Sequence, residues 1–220
     1  NMLALRFANG IFEPIWNRQF IDHVQITVSE SMGIEGRAGF YESAGAIRDI
    51  FQNHLLQLVA LTAMEPPIDF TADSVRNEKV KVLHAIRPMT ADEIRACAVR
   101  GQYGPGVVDG RPVPGYREEP GIAADSATET FAAVRLEVQN WRWAGVPFYL
   151  RTGKRLAARD AQIVINFRPV PHPIFAGTSG ANKLVIKLQP EDGLELHLLA
   201  AKGTGNNELL SPVRLDLDFD

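Results

Sequence analysis

A cluster of polar residues at the head of an otherwise apolar segment contains the best candidate for a general base. Residues 43–64 have the pattern of a helix, and the second half, 55–64, is apolar nearly all round, as expected of a helix buried in a core. The polar residues are Arg48, Asp49, Gln52, Asn53 and His54. We therefore expect this end of the helix to open on a cleft, where the imidazole of His54 could accept a proton near neutral pH.

An alternative interpretation of His54 is structural, because a histidine on a helix is more often a hydrogen-bonded structural residue than a catalyst. Asp49 precedes His54 by five positions, which places the two side chains about 140° apart around an α-helix. They do not stack as neighbours on successive turns. A base at His54 therefore needs an orienting group from elsewhere.

Two further places could bind a charged or hydroxylated ligand. A predicted strand ends in a basic, glycine-containing turn that holds Arg151, Lys154 and Arg155, and Arg159 follows it. Such a turn suits a phosphate or a sugar hydroxyl, although a solvated charged turn would have the same composition. Glu30 ends another predicted strand and could accept hydrogen bonds from hydroxyls, or could be a surface carboxylate.

Charge and cysteine content exclude several classes of function. The 220 residues include 23 Lys and Arg against 26 Asp and Glu, a net charge of −3 without long runs, which argues against a dedicated nucleic-acid or anionic-membrane surface. The single cysteine, Cys97, cannot form an internal disulfide. Without a long apolar span or a signal-like start, a reducing cytoplasm is the expected compartment.

Nucleotide and metal motifs are not found in this sequence. Gly104 and Gly106 lack a preceding strand and a following helix, and the turn at residues 152–155 lacks the upstream glycine and the Ser or Thr of a phosphate loop. A Rossmann unit is therefore not expected in the chain. The five histidines are far apart and have no carboxylate or thiol partners at ligand spacing, so we expect no metal site.

The order of predicted elements indicates an α+β fold. We predict helices at 3–15, 43–64 and 72–86, and a fourth that begins at a Thr90–Glu93 capping box and stops at Gly101. A stretch rich in glycine and proline, 102–126, is expected to be functional or to wrap a neighbour. Predicted strands lie at 20–30, 128–140, 148–151, 162–167, 183–188, 194–199 and 213–219. Helices followed by a large, mostly antiparallel β-sheet with one covered face are expected.

Seven segments of the sequence carry a resemblance to a known family. They include Ile-Arg-Asp-Ile-Phe-Gln-Asn-His-Leu-Leu-Gln at 47–57 and Leu-Arg-Thr-Gly-Lys-Arg-Leu at 150–156, and the others lie at 6–18, 35–42, 100–103, 115–121 and 140–148. In this order they resemble the C-terminal part of the glucose-6-phosphate dehydrogenases. The resemblance implies NADP-dependent oxidation of glucose 6-phosphate to 6-phosphogluconolactone, the entry to the pentose phosphate pathway.

The resemblance also implies roles for individual residues. His54 would be the general base, which takes the proton of the C1 hydroxyl as hydride leaves C1. An aspartate in a family segment that is not in this sequence would orient it, on the logic of a catalytic triad. The remaining matches are expected to bind substrate: Glu30 and Asp49 the hydroxyls, Lys154 and Arg159 the sugar phosphate, and Gln189 a weaker contact.

The domain organisation follows from the same resemblance. Residues 1–220 are expected to form a C-terminal substrate-binding and dimerisation domain, truncated at both ends, with NADP held by an N-terminal Rossmann domain that the chain lacks. The family's β-sheet forms its dimer interface, so a homodimer or tetramer is implied. The alternative is a stand-alone, non-catalytic module that binds sugar phosphates or dimerises.

A second, structural NADP, known in some members of the family, is not expected here. Asp160 and Val164 stand at two positions where that site has basic residues, and only Arg151 and Lys187 still suit it. The turn at 202–205 also departs from the usual Lys-x-Pro-Gly pattern.

Overall fold

The computed structural model describes residues 2–108, 110–175, 182–202 and 209–218. Its helical elements are α1 (Met2–Phe7), α2 (Ala38–Ala46), a π-helix (Ile47–Leu55), α3 (Leu56–Ala63), α4 (Ala72–Ala85) and α5 (Ala91–Cys97), with short 3₁₀ turns at Glu13–Ile15 and Tyr116–Glu118. Its strands are β1 (Ile21–Ser29), β2 (Ala98–Gly101), β3 (Gly106–Val108), β4 (Arg111–Val113), β5 (Phe131–Glu137), β6 (Pro147–Gly153), β7 (Asp160–Phe167), β8 (Lys183–Gln189), β9 (Gly193–Lys202) and β10 (Leu209–Asp218).

Eight of these strands form one large sheet in the order β10-β9-β8-β7-β1-β6-β5-β2, and β3 and β4 form a separate ribbon. Neighbouring strands in the large sheet pair antiparallel, except that β1 and β6 run parallel. The predicted α+β fold with a mostly antiparallel sheet is confirmed. The parallel pair at its centre was not predicted.

The main core lies between one face of this sheet and the helices. Buried side chains from β1, β6, β7 and β8 pack against the π-helix, α3 and α4. Two tryptophans fix the far end of α3: Trp16 donates to the carbonyl of Thr62 at 2.8 Å and Trp143 to that of Ala63 at 2.9 Å. Because these tryptophans precede the starts of β1 and β6, α3 ends at the amino ends of those strands. The π-helix, which precedes α3, therefore lies toward their carboxyl ends.

The predicted helix at 43–64 is interrupted in the structure. Gly45 has φ +63° and ψ 176°, a backbone conformation that is nearly restricted to glycine, and it separates α2 from the π-helix. The backbone amide of Leu56 bonds to the carbonyl of Phe51, five residues earlier, as in a π-helix. The prediction of one continuous α-helix was therefore wrong at this point.

Two other helix boundaries differ from the prediction. The helix predicted at 3–15 ends at Phe7, and only the 3₁₀ turn at Glu13–Ile15 continues it. The Thr90–Glu93 capping box is present, but its helix ends at Cys97 rather than at Gly101. Residues Ala98–Gly101 instead pair with β5, because strand pairing outweighs the local helix signal.

The glycine- and proline-rich stretch folds back on its own chain. Besides the β3–β4 ribbon, it contributes Tyr116 to a small second core with Tyr41. The carboxylate of Glu42 accepts hydrogen bonds from the hydroxyls of Ser126, Thr128 and Tyr116 at 2.5–3.1 Å. These bonds, that of Ser126 above all, lower the pKa of Glu42, and they tie this stretch to α2.

Candidate functional site

The parallel pairing of β1 and β6 places two of the predicted ligand residues side by side. Ser29 and Gly153, the last residues of the two strands, are in register, and Glu30 and Lys154 follow them. The ammonium group of Lys154 forms an ion pair with the Glu30 carboxylate. The Glu30 amide also donates to the Gly153 carbonyl at 3.0 Å. The strand ends and the ion pair therefore fix both residues at one edge of the sheet.

Lys154 is held deep in the protein, with only 3% of its side chain exposed. Its ammonium nitrogen lies 5.3 Å from the centre of the Tyr41 ring, a favourable cation–π arrangement. Its backbone amide donates to the Thr130 carbonyl at 2.9 Å. A buried ammonium group requires such compensation, and it remains a strong potential partner for an anionic ligand.

Arg159 and Gln189 lie at the same edge of the sheet. Because β7 runs antiparallel to β1, its first residues lie beside the end of β1, and β8 ends there at Gln189. An Arg159 guanidinium nitrogen donates to the side-chain oxygen of Gln189 at 3.1 Å, and both side chains are exposed. The structure thus brings four predicted ligand residues to one edge, in the order Gln189, Arg159, Glu30 and Lys154.

Asp49 and His54 lie on the π-helix, which packs against β1 and β6. His54 is exposed and Asp49 is half-buried. The 140° separation estimated above assumed an α-helix and does not apply to a helix with five-residue hydrogen bonds. Even so, within the described part of the chain no hydrogen bond joins the two side chains, and the imidazole makes none to any other group. The expectation that an orienting group must come from elsewhere remains a prediction.

Tyr41 connects the π-helix with the edge of the sheet. Its pKa is raised above the usual range, first by burial and then by the negative charges of Asp49, Glu129 and Glu30. Its hydroxyl is buried and has no hydrogen-bond partner among the described residues. Tyr41 could not be recognised from the sequence, because a buried tyrosine beside a site has the same local pattern as a tyrosine in a core.

The residues considered for a second NADP lie on the other face of the sheet. Arg151 pairs with Thr27, Thr27 with Gln162, and Gln162 with Lys187, in one row across four strands. Lys187 is already bound by a carboxylate, since its ammonium group lies 2.5 Å from Glu195.

The ion pair between Lys187 and Glu195 supports the expectation that no second cofactor binds. That expectation remains a prediction. Asp160, at one of the replaced positions, accepts a hydrogen bond from Gln162 at 2.7 Å. Val164, at the other, lines the same open face as Arg151. Of the predicted turn at 202–205, residues 203–205 lie outside the described residues.

Neither a metal centre nor a membrane span is found in the part of the chain that the structure describes. No group of three or more His, Cys, Asp or Glu side chains there could hold a metal ion. None of the helices there is both long enough and apolar enough to cross a bilayer. Gly104 lies between β2 and β3, and Gly106 is the first residue of β3. Neither lies between a strand and a helix, so they do not form a nucleotide-binding turn.

These features define the class of protein: an α+β domain in which carboxylate, amide and basic side chains line one edge of the sheet, beside a helix with a free histidine. A model of the family described as "Glucose-6-phosphate dehydrogenase, C-terminal domain" matches residues 3–220. The chain therefore belongs to this family, as the resemblance predicted.

Individual relatives agree with this assignment. A glucose-6-phosphate 1-dehydrogenase of Aggregatibacter actinomycetemcomitans is 53% identical over 206 residues, which cover 93% of this chain and 42% of the relative. One of Rhizobium meliloti is 52% identical over 224 residues, with 100% and 45% covered. The chain thus spans less than half the length of these relatives.

Solved structures show the same fold. A structure of glucose-6-phosphate dehydrogenase in complex with its substrate glucose-6-phosphate matches with a TM-score of 0.88 and 40% identity, over 99% of this chain and 43% of that one. Glucose-6-phosphate 1-dehydrogenase from Mycobacterium avium matches with a TM-score of 0.85 and 38% identity, over 100% and 45%.

Proposed function

We propose that this chain is the substrate-binding and catalytic-base portion of a longer, cytoplasmic, NADP-dependent glucose-6-phosphate dehydrogenase. The whole enzyme would oxidise glucose 6-phosphate to 6-phosphogluconolactone in the pentose phosphate pathway. The observation that carries this proposal is the shared edge of Glu30, Lys154, Arg159 and Gln189, next to the π-helix of Asp49 and His54.

In this proposal His54 is the general base. Its imidazole is exposed, so it is free to accept the proton of the C1 hydroxyl, which an imidazole does well near neutral pH. NADP supplies the hydride acceptor when it is bound. The described residues do not fit it, since the turn between β1 and α2 that contains Gly33 and Gly36 lacks the G-x-G-x-x-G spacing of a dinucleotide-binding turn. We therefore assign its binding to a domain outside this chain.

The other residues would bind and orient the substrate. Lys154 and Arg159 offer charged donors that suit a phosphate and its sugar. Glu30 and Asp49 offer acceptors for hydroxyls, and Gln189 adds a weaker contact. In the family much of the phosphate is held by a segment that this sequence lacks, so we expect the isolated chain to bind glucose 6-phosphate weakly.

We further propose a homodimer or tetramer that forms through the β-sheet. The uncovered face of the central strands is mostly polar, with Gln25 and Arg151 exposed. Exposed apolar side chains lie on β6, where Tyr149 is 43% exposed, and on β10, where Leu215 and Leu217 are 55% and 58% exposed. Sedimentation equilibrium at micromolar concentration tests this proposal, and a clean monomer of this chain would contradict it.

The test of the proposed function is an assay with glucose 6-phosphate and NADP. The full-length protein should form NADPH, whereas this chain alone should not, because nothing in its described part positions the nicotinamide near C1. The alternative is a stand-alone module that binds sugar phosphates or dimerises without catalysis. An inactive full-length protein that still binds glucose 6-phosphate would favour that alternative, and NADPH formation by the pure isolated chain would contradict both.

A further inference from the structure

The break between α2 and the π-helix is built around Glu129. A Cβ atom at position 45 would come within 2.9 Å of the Glu129 carboxyl carbon, so the carboxylate occupies the space that a side chain there would need. Gly45 also has a backbone conformation that is nearly restricted to glycine. The two residues therefore fit each other closely at the point where the polypeptide enters the π-helix.

Glu129 also binds two amides at the start of the π-helix, that of Ala46 immediately before it and that of Ile47, its first residue. Its backbone carbonyl accepts from the Ala46 amide at 2.9 Å, and its side-chain carboxylate accepts from the Ile47 amide at 3.1 Å. The first amides of a helix lack partners within it, and a carboxylate there is favoured by the helix dipole. Glu129 thus acts as an N-terminal cap that comes from a distant part of the sequence.

The segment that supplies this cap also holds the other half of the candidate site. The backbone carbonyl of Thr130, the next residue, accepts a hydrogen bond from the backbone amide of Lys154 at 2.9 Å. Its own amide donates to the Gly101 carbonyl at 2.9 Å, and its side chain is fully buried. Residues 129 and 130 therefore connect the start of the π-helix to the strand end that carries Lys154.

We propose that Glu129 is a positioning residue that sets the place of Asp49 and His54 relative to Lys154. This inference rests on the proposed function of His54. A π-helix is an uncommon geometry that usually occurs as a single turn, and this one spans nine residues, Ile47–Leu55. Loss of the cap would allow its first turn to shift, and displacement of a catalytic group by about 1 Å is enough to cost roughly 10²-fold in rate.

The test compares Glu129→Ala and Glu129→Gln in the full-length protein. Glu129→Ala should lower kcat at least about tenfold, with a smaller rise in KM, because Lys154 and Glu30 stay in place. Glu129→Gln keeps a side-chain oxygen that can accept from Ile47, so it should restore most of kcat. Glu137→Ala, at the last residue of β5, removes a partly exposed carboxylate that pairs with Arg87 and Arg135 and should leave kcat unchanged.

Hydrogen exchange of the backbone amides gives a readout that does not depend on activity. In Glu129→Ala the amide of Ile47, which loses its acceptor, should exchange faster. The amides in the middle of α4 should not change, which also shows that the protein is folded. If the wild-type protein is active, an unchanged kcat in Glu129→Ala, or unchanged exchange at the Ile47 amide, would overturn this inference alone. An inactive wild-type protein would overturn the proposed function and this inference together.

Discussion

Lys154 and Glu30 form an ion pair across the ends of the parallel strands β1 and β6. Lys154 is buried, whereas a third of the Glu30 side chain is exposed. Solvent therefore reaches the ion pair from the side of the carboxylate. Both residues are proposed substrate ligands, and each neutralises the other while no ligand is bound. Removal of one partner would leave the other charge without compensation, which is costly for a group with little exposure.

We expect Lys154→Met to raise the KM for glucose 6-phosphate by roughly 10- to 100-fold, the cost of one hydrogen bond to a charged group. Because Glu30→Gln removes the other half of the same pair, the double variant should lose less than the sum of the two single effects. Initial-rate measurements on the four proteins provide the double-mutant cycle. Lys81→Met, which breaks an exposed helical pair with Glu78, is the control, and strictly additive effects would contradict the coupling.

Replacement of His54 by Asn should lower kcat by about 10²-fold or more and leave KM nearly unchanged, because a general base acts mainly in the transition state. His84→Asn, an exposed histidine on α4, is the matched control and should retain full activity. Steady-state kinetics of the full-length protein decide the outcome. A near-normal kcat in His54→Asn would indicate that His54 is a structural residue and not the general base.

The strands of the large sheet could be predicted from the sequence, but their pairing could not. Alternation of apolar and polar residues indicates which side chains share a face, and it does not indicate which strand lies beside which. β1 and β6 are far apart in the sequence and pair parallel, so their alternation gave no sign of the contact between Glu30 and Lys154. The resemblance supplied both residues as candidate ligands, while only the fold shows that they meet.

The π-helix could not be predicted from the sequence, for a different reason. The polar cluster around His54 was recognised correctly as one end of a helix, but its spacing was judged with the period of an α-helix. The geometry here depends on Gly45 and on Glu129, and the second of these lies far away in the sequence. Local patterns cannot contain such a tertiary contact, which also explains why Tyr41 was missed.

Tyr41→Phe should leave the free energy of unfolding unchanged or raise it by up to about 1 kcal/mol. The Tyr41 hydroxyl is buried without a hydrogen-bond partner, and such a group costs desolvation energy that phenylalanine would not incur. The ring contacts with Tyr116 and Lys154 would be kept. Urea denaturation of the two proteins measures the difference. A loss of stability greater than about 1 kcal/mol, the size of a typical hydrogen bond, would mean that the hydroxyl has a partner after all.

Glu195 should make the stability of the sheet depend on pH in the acidic range. Hydrogen bonds from Lys187 and then from His197 lower its pKa from 4.5 to about 2, and only 11% of its side chain is exposed. Because the folded protein favours the ionised carboxylate, this stabilisation is complete above pH 4.5 and is lost as the pH falls toward 2.

The corresponding experiment is urea denaturation of the wild type and of Glu195→Gln from pH 7 down to the lowest pH at which both proteins are folded. We expect Glu195→Gln to be less stable than the wild type at neutral pH, and the difference to shrink steadily below pH 4.5, where the wild-type carboxylate begins to lose its advantage. Glu191→Gln, at an exposed carboxylate in the turn between β8 and β9, is the matched control and should follow the wild type throughout. A stability difference for Glu195→Gln that stays constant as the pH falls would show that the carboxylate contributes through its shape rather than through its charge.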